Sequence, residues 1–252
     1  MPLRARPAEG WRSQEGVGMR RIALVVAGAL ALAVTQLLGP AAAQEQPLCG
    51  PPGEEVPATI VGSGTIVGTA GDDVIVASEG DDTILGLGGD DIICALEGND
   101  RVLGGEGNDV LIGDGIDVPP FIPSNDQNND VLIGGPGDDT LAGLGGDDRM
   151  LGGPGNDFII GMGGYDRIQG GPGDDTAFGG PLDDRVAGNA GNDTLWGNFG
   201  SDTISGGPGD DFIDGDNPFP PPPELPFPPG TNNDVCTGGP GDDTVDNCEV
   251  VS

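Results

Sequence analysis

The chain of 252 residues carries 42 acidic and nine basic residues, a formal net charge of −33, and it contains no histidine. An acidic excess of this size excludes attraction to nucleic acid or to an anionic membrane through charge, so cations are the partners that the composition favours. The lack of histidine and the presence of only four cysteines leave too few donors for soft-metal sites.

The first 43 residues have the pattern of an export signal. Arg20-Arg21 precedes an apolar run of 17 residues, Ile22 to Leu38, and three alanines follow shortly after it. This order predicts a signal peptide at residues 1–43 that is cleaved after Ala43, with Met19 as an alternative start. An uncleaved membrane anchor is the competing interpretation, since 17 apolar residues reach the lower limit for a span. Without this segment the chain keeps 40 acids and four arginines, a net charge of −36.

Residues 44–67 are predicted to form an N-terminal segment that caps the rest of the chain. Its first part, up to Glu55, has the composition of a loop. Ala58 to Val61 has the β-branched composition of a short strand, which we expect to be the first strand of the cap.

A nine-residue unit repeats from residue 68 to residue 246. Its longest uninterrupted block, Gly134 to Asp214, contains nine units such as GGPGDDTLA and GLGGDDRML. Glycine opens every unit of this block, aspartate fills position six, and an apolar residue fills position eight. Two loop excursions, residues 113–128 and 217–230, interrupt the repeat, and residues 247–252 are a predicted C-terminal cap. The second excursion carries eight of the 24 prolines and cannot join a strand ladder.

The unit predicts its own local structure. Glycine at positions one, two and four indicates a tight turn through positive φ, and Asn128 and Asn232, which replace the fourth-position glycine in two units, tolerate that region. Positions seven to nine form a short strand whose middle side chain points to one side. Two units make a coil of 18 residues, and stacked coils pair their strands about 4.8 Å apart. The position-six aspartates then form two columns, one along each edge.

Columns of carboxylates repel unless a cation lies between them. Carboxylate and backbone carbonyl oxygens are hard ligands, which favour calcium. A solvated acidic face is the alternative, but random acidic surface has no reason to recur every nine residues. Asp184 is a doubtful ligand, because Leu182 stands where its unit should have the fourth-position glycine. The other predicted calcium ligands are the remaining position-six aspartates: Asp73, Asp82, Asp91, Asp100, Asp109, Asp130, Asp139, Asp148, Asp157, Asp166, Asp175, Asp193, Asp202, Asp211, Asp234 and Asp243.

The pattern G-G-x-G-x-D-x-U-x resembles the hemolysin-type calcium-binding (RTX) repeat family. The resemblance covers residues 68–246 with 17 units, 14 of which have glycine at position four. It implies an all-β fold, a parallel β-roll (a right-handed solenoid with two nonapeptides per coil). It also implies several calcium ions between turns of neighbouring coils, held by position-six carboxylates and backbone carbonyls.

Four cysteines in an exported protein predict two disulfides, for which the sequence allows three connectivities. We expect Cys49 to pair with Cys94, pinning the N-terminal segment to the first coils. Cys236 and Cys248 would then close the last coil. The alternative is that all four remain reduced.

The outward positions seven and nine sort into two faces if each excursion is an enlarged turn. One face carries all four remaining arginines, Arg101, Arg149, Arg167 and Arg185, which we expect to offset acidic charge. The other is apolar, and a protein or glycan partner is possible there through Phe158, Ile160, Phe178, Trp196 and Phe212. Ordinary strand propensity, with residues 44–67 covering the near end, explains this face equally well.

The sequence thus predicts a secreted calcium-binding protein, structural or interaction-mediating, which is expanded without calcium and folds when calcium is added. An adhesive, glycan-binding or ice-binding surface protein is an alternative. A polysaccharide-active enzyme is disfavoured, because histidine and lysine are absent.

Overall fold

The computed structural model describes residues 48–50, 56–115, 128–216, 234–248 and 250–251. The predicted signal peptide (1–43) lies outside the described residues. So do most of the first excursion, the whole of the second, and residues 249 and 252 of the predicted C-terminal cap.

The described residues form two ten-stranded sheets and one short hairpin-like pair. We call one large sheet the aromatic sheet and the other the arginine sheet. The aromatic sheet contains β3 (Ile60–Val61), β5 (Val74–Val76), β7 (Ile92–Cys94), β9 (Val110–Ile112), β11 (Thr140–Gly145), β13 (Phe158–Gly163), β15 (Thr176–Pro181), β17 (Thr194–Phe199), β19 (Phe212–Asp216) and β21 (Thr244–Asp246). The arginine sheet contains β4 (Thr65–Val67), β6 (Thr83–Gly88), β8 (Arg101–Glu106), β10 (Val131–Ile133), β12 (Arg149–Leu151), β14 (Arg167–Pro172), β16 (Arg185–Ala190), β18 (Thr203–Ser205), β20 (Val235–Thr237) and β22 (Val250–Val251). The small pair is β1 (Leu48–Cys49), antiparallel to β2 (Val56–Pro57).

The chain alternates between the two large sheets, so that each strand pairs in parallel with the strand two places along the sequence. Phe178, for example, pairs with Trp196, which is 18 residues later. The fold is therefore a parallel β-solenoid with two repeat units per coil, as predicted. Both excursions keep this alternation: Arg101 pairs with Val131, and Thr203 pairs with Val235. The two outer faces consequently have the predicted composition.

The core is a single row of position-eight side chains between the sheets. Because successive strand residues point to opposite faces, only the middle residue of each short strand reaches the interior. Even the small side chain of Ala177 is fully buried. The row is Ile66, Ile75, Ile84, Ile93, Val102, Leu111, Leu132, Leu141, Met150, Ile159, Ile168, Ala177, Val186, Leu195, Ile204, Ile213 and Cys236.

Both predicted disulfides are present, and they lie at the two ends. Cys49 is bonded to Cys94 with a Cα–Cα distance of 5.9 Å, and Cys236 to Cys248 with 6.0 Å. Cys49 and Ala58 pack on the outer side of the aromatic sheet in a second apolar cluster. The N-terminal segment therefore covers the near end of the apolar face. No helix among the described residues is long and apolar enough to cross a membrane.

Candidate metal site: the aspartate columns

The solenoid has two edges of different character. The consensus edge is formed by the turns that lead from the arginine sheet to the aromatic sheet, and each of its nine turns has glycine at position four. The variable edge is formed by the turns that lead back. The variable edge contains the departures from the repeat: both excursions, Leu182, and the two alanines that replace the first glycine, Ala77 and Ala95. The sequence shows each departure, but only the alternation of the chain places them together.

The predicted ligands form two columns, as expected. Most of these side chains are buried, in the turns at the ends of the core. The consensus edge holds Asp73, Asp91, Asp109, Asp139, Asp157, Asp175, Asp193, Asp211 and Asp243; the variable edge holds Asp82, Asp100, Asp130, Asp148, Asp166, Asp184, Asp202 and Asp234.

One carboxylate oxygen of each aspartate links two coils. The backbone N–H of Asp139 donates to Oδ1 of Asp157 at 2.8 Å, and that of Asp166 donates to Oδ1 of Asp184 at 2.8 Å. The same bond recurs along both columns, including across the first excursion from Asp109 to Asp139. These bonds fix the carboxylates in the turns and leave the second oxygen, Oδ2, for another partner.

In most units that second oxygen is buried without a hydrogen bond. Among the described residues this holds for Oδ2 of Asp91, Asp100, Asp109, Asp130, Asp139, Asp148, Asp157, Asp166, Asp175, Asp184, Asp193, Asp202 and Asp211. The first unit on each edge differs: Oδ2 of Asp73 accepts the N–H of Thr69, and Oδ2 of Asp82 accepts the N–H and the hydroxyl of Ser78. A buried carboxylate oxygen with no partner is costly, so the interior units require a proton or a cation there.

Position-one glycine has a steric role that the sequence pattern does not reveal, although alanine replaces it at Ala77 and Ala95. It does not adopt positive φ. Instead, a Cβ on Gly152 would collide with Oδ2 of Asp157, the position-six aspartate of the same unit, and Gly134 and Asp139 show the same relation. The first glycine therefore makes room for the carboxylate oxygen that has no hydrogen bond.

Positive φ belongs to positions two and four. Gly155 has φ 144°, and a side chain there would also strike the carbonyl oxygen of Gly137 in the preceding coil. The predicted requirement for glycine at position two was too strict, because Leu144 occupies it at φ 82°. Leu182 keeps a positive φ, of 79°, and Oδ1 of Asp184 accepts the same hydrogen bond as its neighbours do. The prediction for Asn128 was wrong: it does not adopt positive φ, and its amide instead donates to Asp114 and Glu97 across the base of the excursion.

Burial raises the pKa of the interior column aspartates, from Asp91 to Asp211, above the ordinary value of 3.8. The pKa of Asp157 rises to about 6, and those of Asp148 and Asp184 rise to about 10. Desolvation is the largest cause in each case, and neighbouring carboxylates add to it. At neutral pH the metal-free columns therefore hold protons or unfavourable charge.

The donor set fits a hard divalent cation. Each interior turn offers a buried carboxylate oxygen beside glycine-rich backbone with closely approaching carbonyls, which is the oxygen chemistry that calcium takes. The described residues contain no group of three or more Asp, Glu, His or Cys side chains that could hold one metal ion together. Each column stacks one carboxylate per coil, so backbone carbonyl oxygens would have to supply most of the ligands of a bound calcium ion.

Position five forms a third regular array that the sequence analysis did not identify. On the consensus edge the Oδ1 atom of Asp138 accepts the N–H of Asn156, whose Oδ1 accepts the N–H of Asp174. This ladder runs from Asp72 to Asp242. Its signal was visible in the sequence, since position five is aspartate or asparagine in nearly every unit.

The aromatic side chains of the apolar face contact one another. Phe178 and Trp196 stack with ring centroids 4.4 Å apart and planes 3° apart, while Phe158 and Phe212 flank them at 5.8 and 5.9 Å. All four are half-buried. The facing surfaces of the two central rings are thus occupied within the molecule.

The comparison with protein families gives one match. The sequence model described as "RTX calcium-binding nonapeptide repeat (4 copies)" matches residues 61–93, 95–115, 125–159, 151–186, 178–213 and 230–246, which together make up more than half of the chain. No curated protein matches the chain.

Proposed function

This chain belongs to the family of RTX calcium-binding nonapeptide repeats, and from that membership we propose that it is a secreted protein whose solenoid folds as calcium enters its turns. Extracellular calcium modules bind at about 10⁻⁴ to 10⁻³ M, so occupancy would follow external calcium. Each ion bound only by the folded chain adds to its stability.

The observation that carries the proposal is the buried, unbonded Oδ2 of the interior column aspartates. A hydrogen bond to Oδ1 holds each carboxylate in place, and the absence of a side chain on the first glycine lets Oδ2 lie close against the backbone there. A bound calcium ion would be the positively charged partner that these buried oxygens do not have among the protein groups. The residues that would hold it are the position-six aspartates, with Asp73 and Asp82 the least suited because their Oδ2 atoms are already hydrogen-bonded.

Secretion is supported by the predicted signal peptide and by the two disulfides, which persist in oxidising compartments. We propose a structural or interaction role rather than an enzymatic one, because the described chain consists of the roll and its covering segment. A protein or glycan partner on the aromatic face remains a prediction. The stacking of Phe178 on Trp196 favours stabilisation of the roll over a flat platform for sugars, since those ring faces are not free.

Calcium titration of the metal-free chain tests the proposal by far-UV circular dichroism. We expect a change from an unfolded to a β spectrum with calcium and little change with magnesium, which demands a tighter octahedral site. Asp139→Asn should weaken the response. Asp138→Asn is the matched control, because position five already holds asparagine in other coils. A β spectrum that is independent of calcium at neutral pH would contradict the proposal.

A further inference from the structure

Two units of the repeat differ from all the others at position two. Among the 17 units, only those of Asp130 and Asp234 have an acidic residue there, namely Asp114 and Asp216. The other units have glycine, leucine, methionine, asparagine, serine or threonine at this position. These two units are also the two that contain the excursions, and in both of them two asparagines precede the column aspartate. The two excursions therefore share one design at their base.

Hydrogen bonds hold Asp114 at the base of the first excursion, where its side chain is 6% exposed. Its Oδ1 accepts the side-chain amide of Asn128 at 3.0 Å, and its Oδ2 accepts the N–H of Gly145, in the next coil, at 3.1 Å. The Asn128 amide also donates to Glu97 at 3.0 Å, so it lies between two carboxylates. An amide and a peptide N–H fix the Asp114 carboxylate in place, but neither carries a positive charge that would cancel its own.

The residue before Asp114 lies against two oxygens of different kinds. A Cβ on Gly113 would strike Oδ2 of Asp130 and come within 2.9 Å of the carbonyl oxygen of Gly143. Oδ2 of Asp130 is buried without a hydrogen bond. A carboxylate oxygen and a carbonyl oxygen thus converge next to Asp114, and both are oxygen ligands of the kind that calcium takes.

Uninterrupted turns have the same pair of oxygens but lack the added acid. A Cβ on Gly161 would strike Oδ2 of Asp166 and come within 2.5 Å of the carbonyl oxygen of Gly179, and position two of this unit is Met162. Some turns have an acid at position five, such as Asp147, but its side chain is exposed and its charge is screened by water and salt. The base of the first excursion instead combines the ordinary turn with a buried negative charge.

The base of the second excursion has the same arrangement. A Cβ on Gly215 would lie 2.6 Å from Oδ2 of Asp234 and 2.5 Å from the carbonyl oxygen of Asn247. Asp216, which follows Gly215, is half-buried. Asp214, which precedes it, is 8% exposed and accepts the amide of Asn247 at 2.7 Å. Two acidic residues thus flank the glycine that touches this pair of oxygens.

The added carboxylates make the metal-free columns less favourable at both bases. Burial is the main reason that the pKa of Asp130 rises to about 8, and the Asp114 carboxylate adds to the rise. Burial likewise raises the pKa of Asp202 to about 7, with a contribution from Asp216. A divalent cation would relieve this repulsion, and the affinity of a calcium site depends on the number of charges around it.

We propose that the bases of the two excursions are the two tightest calcium sites of the chain and are filled before the ordinary turns. Because this order presupposes calcium binding in the turns, it rests on the proposed function. Asp114 and Asp216 supply the additional negative charge, at a position where the ordinary turns have none. Filling these sites first would join the two ends of each excursion at calcium concentrations too low to load the rest of the roll.

A purely structural role for Asp114 is the competing explanation, because its two oxygens satisfy two donors at once. Under that explanation, Asp114→Asn lowers the Tm in saturating calcium but leaves the number of tight calcium sites unchanged. Under the proposed order of loading, the same substitution removes one tight site.

Equilibrium dialysis of the purified chain against chelator-buffered calcium counts the bound ions at each free calcium concentration. We expect a first plateau at about two ions, with an affinity on the order of 100-fold above that of the remaining sites, because a unit charge beside a divalent ion has an effect of at least this size at an effective dielectric constant of about 20. Asp114→Asn should lower the plateau to about one ion, and Asp114→Asn with Asp216→Asn should remove it. Asp138→Asn with Asp174→Asn is the control of equal charge and should retain it, because asparagine already occupies position five in other coils.

Three results would overturn the inference. The wild-type chain could bind all its calcium in a single class of sites. The variant with Asp114→Asn and Asp216→Asn could keep the plateau, with a lower Tm assigning both residues a structural role. Finally, the control variant could lose the plateau as completely, which would make net charge the cause. Circular dichroism separates this order from the proposed function: calcium-induced folding with one class of sites contradicts only the order, whereas no binding and no folding contradict both.

Discussion

The backbone N–H of Asp157 donates a 2.8 Å hydrogen bond to Oδ1 of Asp175, one coil further along the chain. The bond links neighbouring coils in the turn, beside the backbone hydrogen bond from the N–H of Thr176 to the carbonyl oxygen of Asp157. It also occupies one carboxylate oxygen and leaves Oδ2 of Asp175 buried without a hydrogen bond. The same residue therefore contributes to the stacking of the coils and leaves an oxygen that requires a proton or a cation.

The metal-free chain should fold better in acid. The column aspartates have a pKa of 3.8 when unfolded, and folding raises it to about 6 for Asp157 and to about 10 for Asp184. A raised folded-state pKa stabilises the fold fully below the unfolded value, and this contribution is lost as the pH rises through the folded value. We expect β structure in chelated samples at about pH 4 and its loss towards neutral pH, measured by circular dichroism. Greater metal-free stability at pH 8 than at pH 5 would contradict this.

Asp184 should contribute to calcium binding as much as its neighbours do. Although Leu182 replaces the glycine of its turn, it adopts a positive φ as Gly164 does, and Asp184 is as deeply buried as Asp166. We predict that Asp184→Asn and Asp166→Asn reduce the calcium-induced rise in Tm equally. Asp82→Asn should reduce it less, because Ser78 already satisfies Oδ2 of Asp82. Differential scanning calorimetry with and without calcium measures the three differences.

Gly152→Ala should be destabilising although this glycine does not adopt positive φ and alanine occupies the same position at Ala77 and Ala95. Its new methyl group would collide with the carboxylate of Asp157 and displace it from the column. Overpacking of this kind costs about 1–3 kcal/mol. Gly80→Ala is the control, since a Cβ there meets no atom within 4 Å. Calcium-dependent thermal melts of the two variants should differ; equal Tm values would show that the first glycine has another purpose.

Loss of the Cys49–Cys94 disulfide should uncover the near end of the aromatic sheet. This bond closes 45 residues and holds Cys49 and Ala58 against the outer side of Val76 and Ile112. The chain-entropy model gives about 4 kcal/mol for a loop of this size, against about 3 kcal/mol for the 12-residue Cys236–Cys248 loop. We expect the variant with Cys49→Ala and Cys94→Ala to bind a hydrophobic dye. We also expect its Tm to be lower than that of the variant with Cys236→Ala and Cys248→Ala. If the variant bound no more dye than the wild type, β1 and β2 would be shown to stay in place without the disulfide.

The sequence by itself determined the periodic features of this protein. Because the unit of nine residues recurs with little variation, it specifies the turn at position four, the inward residue at position eight and the two columns at position six. The sorting of outer residues such as Trp196 and Arg149 into faces follows from the same count. Both disulfide pairings agree with the expectation from the sequence, although the sequence by itself allows three connectivities.

Only the tertiary structure decided what depends on contacts between coils. The need for glycine at position one arises where Gly152 meets a carboxylate folded back from the same turn. The hydrogen bonds that leave Oδ2 of Asp175 unpaired join residues 18 apart, and the alternation of sheets gathers every irregular turn on one edge. Asn128 shows the limit most clearly: it does not adopt positive φ, and its amide donates to Asp114 and Glu97, contacts that the repeat pattern does not predict. A repeating sequence encodes each turn locally, but the neighbours of each atom are fixed only when the coils stack.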